Sequence, residues 1–354
     1  MKAPPPLRGR GSVANPKNRF ESIELVPEPA EIDQVSSPST QFHTDSSKTI
    51  IAYNDSPDVG FDASINPYRG CEHGCVYCYA RPTHEYLGFS AGLDFETKIM
   101  VKEKAPELLR EELSSPKWGP RVLAMSGVTD CYQPIEKRLK LTRRCLEALL
   151  EFRNPVVIVT KNFLVTRDID LLSELARYQC AAVLISLTTL DQKLSGLMEP
   201  RASRPDRRLE AIAALSQAGI PVGFLLAPMI PALTDAEAPA IVQTAARAGA
   251  GFGSYTPLRL PHAVKSIFES WLEQHYPEKK EKVLNRIRAI RGGKLNDPNF
   301  NSRMRGEGIF AEQMAELFRV ACKKAGISEQ RPRLSTEHFR RPSGSQLNLF
   351  HAQT

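Results

Sequence analysis

Three cysteines crowd onto one short stretch of the chain, Cys71, Cys75 and Cys78, at C-x3-C-x2-C spacing. Thiolates this close in sequence can surround a single inorganic centre, and Gly70 and Gly74 permit the backbone angles that such a tight loop requires. Three protein ligands leave one coordination position open, as in metal sites that carry out reactions. The spacing therefore predicts a centre held by the three cysteines, with one position left for chemistry.

Three kinds of centre compete for these cysteines. Structural zinc takes four protein ligands, usually as two separated pairs; the sequence has no second C-x2-C or H-x3-H pair, so zinc would have to recruit His73 or His84. Disulfides are disfavoured by the odd count of seven cysteines and by the lack of an apolar leader. An iron–sulfur cubane takes thiolates at short spacings, and three of them would leave its fourth iron open. The cubane is favoured, and zinc remains the alternative.

The wider stretch from Asn66 to Pro82 reads Asn-Pro-Tyr-Arg-Gly-Cys-Glu-His-Gly-Cys-Val-Tyr-Cys-Tyr-Ala-Arg-Pro, with an aromatic residue, Tyr77, before the last of the three cysteines. It resembles the signature of the radical SAM superfamily, and within it the spore photoproduct lyase-like branch often labelled DNA repair photolyases. With the matches described below, the resemblance covers roughly residues 47–326. It implies a [4Fe–4S] cluster, S-adenosyl-L-methionine at the open iron, and reductive cleavage of that molecule to a 5′-deoxyadenosyl radical.

Strand and helix patterns alternate along the middle of the chain and must position this loop. Six apolar runs, near residues 61–66, 121–126, 156–160, 182–187, 221–226 and 252–256, predict strands, and the segments between them carry helical periodicity. The run 156–160 is almost entirely β-branched, as expected of a strand buried on both faces. Residues 49–53 predict a short edge strand, and one helix is predicted from Ile135 to Phe152. The pattern predicts an α/β fold, a (β/α)6 partial TIM barrel, in agreement with the family's fold.

Chemistry in such barrels collects where the strands end. After the second predicted strand comes Ser-Gly-Val-Thr-Asp-Cys-Tyr-Gln-Pro-Ile-Glu, which resembles the Thr-Asp-x-Tyr-Gln-Pro-x-Glu segment of the branch. The resemblance implies that Gly127 lets backbone amides approach S-adenosyl-L-methionine and that Thr129 and Asp130 hydrogen-bond its amino acid part. The alternative is a loop whose Thr or Asp caps the next helix.

Later strand ends extend the predicted cofactor site, which also includes Tyr77. Lys161 follows the third strand, where an ammonium group suits the cofactor's carboxylate, and Ser186 ends the fourth strand. The following Met-Glu-Pro-Arg-Ala segment resembles the family's Glu-Pro-Arg segment. Glu199 is expected to bind the ribose or the amino group, and Arg201 to pair with the carboxylate in bidentate fashion. The alternative is an ion pair between these two side chains or with their neighbours.

Cys131 and Tyr132 are the predicted catalytic residues, because thiols and phenols can pass hydrogen atoms. In spore photoproduct lyase a cysteine after the second strand returns hydrogen to the repaired base, and it precedes the Thr/Ser-Asp pair. Here Ser126 or Gly127 occupies that place and Cys131 follows Asp130. The departure leaves three roles open for Cys131: radical relay, ordinary loop residue or extra ligand.

Composition limits the class of protein. The 354 residues are 42% hydrophobic, which is enough for a substantial core, and no apolar run reaches the length of a membrane span. These features predict a cytoplasmic protein with reduced thiols. The net charge is +7, and residues 278–305 hold nine Lys or Arg against three Asp or Glu. The charge favours a polyanionic partner such as DNA, and an ordinary solvated basic face is the alternative.

The two ends of the chain differ in composition from the middle. Residues 1–46, rich in Pro, Arg, Gly and Ser, are predicted to be disordered, residues 47–262 to form the barrel, and residues 263–328 a helical extension packed on it. Residues 329–354 are predicted to be a flexible tail carrying Gln346, Leu347, Asn348, Leu349 and Phe350. This pentapeptide resembles the motif by which bacterial proteins bind the sliding clamp, and folding back onto the barrel is the alternative.

The sequence therefore predicts a radical SAM enzyme that acts on nucleic acid in a repair-like reaction. The resemblance implies a flavodoxin- or ferredoxin-type reductant as a further partner. Two other hypotheses stay open: radical chemistry on a substrate other than nucleic acid, and a non-catalytic cluster- or zinc-bearing module tethered to the clamp.

Overall fold

A computed structural model describes residues 6–21 and 37–342, and its centre is a parallel sheet. The strands are β1 (Gln41–Thr44), β2 (Ile51–Tyr53), β3 (Ala63–Ile65), β4 (Tyr68–Arg69), β5 (Lys98–Val101), β6 (Leu123–Met125), β7 (Val156–Thr160), β8 (Ala181–Ser186), β9 (Val222–Met229) and β10 (Phe252–Pro257). Seven of them form the main sheet in the order β10-β9-β8-β7-β6-β3-β2. All neighbours in this sheet are parallel except β2, which pairs antiparallel with β3 as the edge strand expected from the sequence.

Helices follow the parallel strands along the chain. They are α1 (Leu93–Thr97), α2 (Ala105–Ser114), α3 (Glu136–Leu139), α4 (Leu141–Phe152), α5 (Ile169–Arg177), α6 (Gln192–Met198), α7 (Pro205–Gln217), α8 (Ala238–Arg247), α9 (Val264–His275), α10 (Pro277–Ala289), α11 (Ser302–Arg305) and α12 (Ile309–Ala325). Short 3₁₀ turns occupy Arg81–Leu87, Phe163–Asp168 and Asp235–Glu237. The six parallel strands with their helices confirm the predicted (β/α)6 partial barrel.

Burial explains the strand sequences. Every residue of β8 is buried, and β7 alternates between buried and half-buried positions, so each strand can be rich in β-branched and apolar residues. Because the strands are parallel, their carboxyl ends meet at one edge of the sheet. The loops that follow β3, β6, β7 and β8 therefore converge, and they carry the residues singled out in the sequence.

The helix predicted from Ile135 to Phe152 is broken. Lys140 adopts a left-handed backbone with φ 54°, which separates α3 from α4. The break lets the buried carboxylate of Glu136 accept hydrogen bonds from Tyr68 Oη at 2.5 Å and from the backbone nitrogen of Thr142 at 3.0 Å. A buried carboxylate needs such donors, and residues distant in sequence supply them, so helical periodicity did not indicate the break.

The prediction of disorder over residues 1–46 does not hold for the part of this range that the structure describes. Residues 6–21, here called the N-terminal strap, lie against the segment that runs from the cysteine loop to α1. Residues 41–44 form β1, which pairs in parallel with β5 in a small sheet of order β1-β5-β4. The strap is polar in composition. Backbone and side-chain hydrogen bonds fix it in place, whereas an apolar segment would be fixed by packing into a core.

No helix in the described ranges has the length and apolar character needed to cross a membrane. All seven cysteines are free, and Cys145, Cys180 and Cys322 are buried, as expected of small apolar side chains in helix or strand settings. The clamp-like motif at 346–350 lies outside the described residues.

Candidate active site

The cysteine loop begins directly after β4, the short strand of the small sheet that follows barrel strand β3. Gly70 and Gly74 have φ values of 78° and 67°, the left-handed region that favours glycine. The loop closes on itself through a hydrogen bond from Cys78 N to Cys75 O at 3.2 Å. It is fixed to the barrel by a bond from Val76 N to Met198 O at 3.0 Å. The three thiols thus share one rigid turn.

Burial controls the protonation of these thiols. Cys71 and Cys75 are 8% exposed, and Cys78 is half-buried. Burial, helped by the nearby Glu199 carboxylate, raises the pKa of Cys75 to about 12. Burial also raises the pKa of Cys71, and Asp130 and the two other thiols act in the same direction. Because iron binds thiolate, filling this site must displace protons.

The donor set distinguishes a cluster from zinc. Within residues 6–21 and 37–342, no group of three or more His, Cys, Asp or Glu converges as a single metal ion requires. In a cubane each thiolate binds its own iron, so the sulfurs need not converge. The two histidines offered as zinc ligands have other surroundings: His73 Nδ1 lies 3.3 Å from Asp130 Oδ2, and His84 packs against Phe95 with its pKa lowered to about 4 by burial. The residues fit a [4Fe–4S] cluster.

Asp130 joins three loops at the mouth of the barrel. Its carboxylate accepts hydrogen bonds from Thr160 Oγ1 and Lys161 N, both at 2.8 Å, and from Tyr132 N at 2.9 Å. Burial opposes ionisation, but His73 and these donors hold the pKa of Asp130 at about 2. With its oxygens so occupied, Asp130 ties the loops after β6 and β7 to the cysteine loop.

Tyr77 and Glu199 form a buried pair beside Cys75. The Tyr77 hydroxyl donates to the Glu199 carboxylate, which also accepts from Arg208 Nη2 and from Thr188 Oγ1, the last at 2.9 Å. Burial opposes ionisation of Glu199, yet Arg208 and Lys161 hold its pKa at about 2. The carboxylate expected to bind ribose or an amino group is therefore already engaged by protein donors.

Lys161 is the predicted cofactor residue whose charge forms no ion pair in the described part of the chain. Its Nζ lies 5.8 Å from the centroid of the Tyr77 ring, and its charge lowers the pKa of Glu199 from beyond ion-pair distance. Its charge acts on Cys75 and Cys78, lowering the pKa of both thiols against the effect of burial. Lys161, Tyr77 and Glu199 are thus brought together around the cysteine loop.

Arg201 has a different partner from the one expected. Its Nη2 lies 3.1 Å from Glu72 Oε1, inside the C-x3-C segment, and its Nη1 donates to Thr40 Oγ1 at 3.1 Å. The pairing matches the alternative of an ion pair with a neighbour. Arg201 therefore braces the cysteine loop, a contact that its position in the sequence did not reveal.

The remaining predicted cofactor residues are placed mostly by backbone contacts. The Thr129 hydroxyl donates to Tyr68 O at 2.9 Å, and Gly127 O accepts from Tyr79 Oη at 2.7 Å. Ser186 is buried, and its carbonyl accepts from Arg208 Nη1 at 3.1 Å. Their part in cofactor binding stays a prediction.

Cys131 and Tyr132 are both fully buried in the main core. The backbone carbonyl of Cys131 accepts a hydrogen bond from Thr142 Oγ1 at 2.6 Å. Tyr132 Oη donates to Asp168 Oδ2 at 3.1 Å. Burial raises the pKa of both side chains. These contacts stabilise the packing between the loop after β6 and the helices behind it, so a radical relay through either residue stays a prediction.

Two buried charges that hold the cysteine loop had no assigned role in the sequence. Arg81 donates from Nε to Cys75 O at 2.9 Å and from Nη2 to Gly74 O at 3.1 Å, and it pairs with Glu96. Arg81 and Glu96 are each 0% exposed. Arg81 lies within the signature stretch, and its position beside Pro82 was the only signal. Nothing in the sequence indicated that Glu96 would be its partner.

Comparison with known proteins gives a family match and several relatives. Residues 65–245, just over half of the 354, match the Radical SAM superfamily. An uncharacterized protein of Mycobacterium tuberculosis is 35% identical over 69% of this chain and 72% of its own length. An uncharacterized protein of Methanocaldococcus jannaschii is 31% identical over 63% of this chain and 79% of its own.

Among solved structures, spore photoproduct lyase complexed with dinucleoside spore photoproduct matches with a TM-score of 0.57 at 17% identity, over 81% of each chain. At that identity the match shows a shared fold. The family match, the fold and the three-cysteine loop all indicate the same superfamily. This chain belongs to the radical SAM superfamily and is an enzyme of that class, whose cofactors are a [4Fe–4S] cluster and S-adenosyl-L-methionine.

Proposed function

We propose that this enzyme carries out radical chemistry on nucleic acid, as a member of the spore photoproduct lyase-like branch. The observation that carries the proposal is a rim of exposed aromatic rings and half-buried arginines next to the cysteine loop. Tyr79, which directly follows Cys78, is 52% exposed, and the Arg259 guanidinium lies 5.7 Å from the centroid of its ring. A flat aromatic face beside a cation suits a base and its phosphate.

The cofactors would be held by the residues that surround the loop. Cys71, Cys75 and Cys78 would bind the cluster, and the ammonium of Lys161 would pair with the carboxylate of S-adenosyl-L-methionine. When bound, the reduced cluster would supply the electron that cleaves this molecule to a 5′-deoxyadenosyl radical. Asp130 and Glu199, with their oxygens occupied by protein donors, would hold the walls of the site in place. A flavodoxin- or ferredoxin-type protein is the proposed reductant.

The rim continues into the helical extension. The Arg303 guanidinium lies 4.4 Å from the centroid of Phe300, which is 53% exposed, and Arg303 pairs with Asp58. Burial and the like charge of Arg303 lower the pKa of Arg259. Asp58 offsets part of this repulsion, and a further anion would stabilise both guanidinium groups. A backbone phosphate is an anion of that kind.

Not every basic residue of the stretch 278–305 is available for such contacts. Arg291 is 3% exposed, and it donates to the carbonyls of Leu258 and Arg303, both at 2.8 Å. It connects the end of β10 to α11 and is part of the fold. Arg303 is already held by Asp58, so Arg259 is the better candidate for a phosphate contact.

The likeness to spore photoproduct lyase adds support, since that solved structure is a complex with dinucleoside spore photoproduct. The net charge of +7 favours a polyanion. The tail at 346–350 would recruit the enzyme to DNA through the sliding clamp. We further propose residues 47–262 as the catalytic barrel and 263–328 as the helical extension. Residues 329–342 do not form the flexible tail expected from the sequence, because Phe339 packs against Phe152 and Arg340 N donates to Phe152 O at 2.9 Å.

The proposal is tested with anaerobically reconstituted protein, a chemical reductant and S-adenosyl-L-methionine. Irradiated and unirradiated DNA are incubated with it, and 5′-deoxyadenosine and modified nucleosides are quantified by mass spectrometry. We expect 5′-deoxyadenosine to form and DNA products to change in its presence. Formation of 5′-deoxyadenosine without any change to DNA would refute the nucleic-acid substrate and leave the enzyme class standing.

The rim is tested by DNA binding across a range of salt concentrations. Arg259→Ala should weaken binding and reduce the slope of log affinity against log salt by about 1, because one phosphate contact is lost. Arg177→Ala removes a guanidinium that is paired with Glu174 and 76% exposed on α5, and it serves as the matched control. Equal affinities of the two variants would exclude the rim as the DNA contact.

A further inference from the structure

The N-terminal strap contacts the cysteine loop more closely than side chains would allow. A Cβ placed on Gly11 would lie 1.8 Å from Gly74 O, and one on Gly92 would lie 2.0 Å from Ala14 O. Only glycine permits two backbones to approach this closely. The strap therefore lies directly on the turn that carries the three cysteines and on the residues that lead into α1.

Hydrogen bonds lead from the strap to the cysteines through two buried charges. Gly11 N and Ser12 N donate to the Glu96 carboxylate at 2.9 and 2.8 Å. Glu96 pairs with Arg81, which donates to the carbonyls of Gly74 and Cys75. Buried charges require several partners of this kind. Without the two strap amides, Glu96 would have a buried and partly unsatisfied carboxylate behind the cysteine turn.

A second set of contacts reaches the other side of the turn. Arg10 donates from Nη1 to Glu96 O at 3.1 Å and from Nη2 to Thr40 Oγ1 at 3.1 Å. Thr40 Oγ1 also accepts from Arg201, which pairs with Glu72 between the first two cysteines. The strap is thus connected to Glu72 on one side of the C-x3-C segment and to the backbone of residues 74 and 75 on the other.

We propose that the N-terminal strap is a positioning element of the iron–sulfur centre: through Gly11, Ser12 and Arg10 it fixes the cysteine turn and so slows loss of the bound cluster. The strap does not contact substrate in this role. The inference rests on the cluster of this enzyme class and not on the identity of the substrate. Its failure would leave the proposed action on nucleic acid untouched.

Two full-length variants test the strap contacts. Gly11→Val places a side chain against Gly74 O, and Ser12→Pro removes the N–H that donates to Glu96. Each protein is reconstituted anaerobically, its iron and sulfide are measured, and the loss of cluster absorbance in air-saturated buffer is followed. We expect cluster loss to be faster by about tenfold, the order of effect of one hydrogen bond to a buried charge.

Two controls make the result specific. Lys17→Ala changes an exposed strap residue and should lose the cluster at the unchanged rate. Leu215→Ala weakens the buried core on α7 without touching the strap, and it should also keep the cluster. Unchanged rates in Gly11→Val and Ser12→Pro would overturn the proposal. Equal acceleration in Leu215→Ala would overturn it as well, since cluster loss would then follow general destabilisation.

Discussion

Replacing Glu199 by Gln separates two roles for this carboxylate. The sequence expectation makes it a cofactor ligand, whereas the structure makes it the buried partner of Arg208 and Tyr77. The pKa of Glu199 falls from an ordinary 4.5 to about 2 in the folded chain, which corresponds to roughly 3 kcal/mol at about 1.4 kcal/mol per pH unit. Removing one member of a buried ion pair costs about 3–5 kcal/mol by comparison.

The expected result is therefore a fall of about 3 kcal/mol in the free energy of unfolding of Glu199→Gln at neutral pH, measured by urea titration. The double variant Glu199→Gln/Arg208→Met removes both charges and should recover at least half of that loss. We therefore predict that the effects of the two substitutions on the free energy of unfolding are not additive. A double variant that loses the sum of the two single losses would refute the pairing.

The pH dependence gives an independent check, with a definite sign. Because folding depresses the pKa of Glu199, its contribution to stability is complete above the unfolded value of 4.5 and is lost as the pH falls toward about 2. The difference between the unchanged protein and Glu199→Gln should therefore shrink across that window. A difference that stayed constant from about pH 6 to about pH 3 would show that the carboxylate is not held ionised by its partners.

Three further predictions concern the cluster, the relay and the tail. Cys71→Ala should abolish both the brown colour and 5′-deoxyadenosine formation, whereas the buried Cys180→Ala should keep both, as judged by iron analysis and product assay. Cys131→Ala should keep 5′-deoxyadenosine formation, because the thiol lies in the core. Loss of hydrogen return to the substrate, followed with deuterium, would support the relay hypothesis. Leu349→Ala combined with Phe350→Ala should abolish co-elution with the bacterial sliding clamp, and failure of the unchanged protein to bind would reject the motif.

Local patterns predicted a large part of this molecule. The six barrel strands follow from short apolar runs between turn and helix signals, since a strand buried on both faces must be apolar along its length. The cysteine loop follows from spacing alone, because three ligands on eight residues can hold one centre without distant partners. Cys71, Cys75 and Cys78 and their glycines therefore needed no tertiary information.

The tertiary structure decided which charges meet. Gly11 and Glu96 are 85 positions apart, and Tyr77 and Glu199 are 122 apart, so no periodicity or motif links them. The strap carries a composition typical of disorder, yet it is ordered because two glycines allow backbones to touch and a buried carboxylate requires its amides. Arg201, expected at the cofactor, pairs with Glu72, because the buried Glu72 carboxylate requires a positive partner and folding brings Arg201 to it.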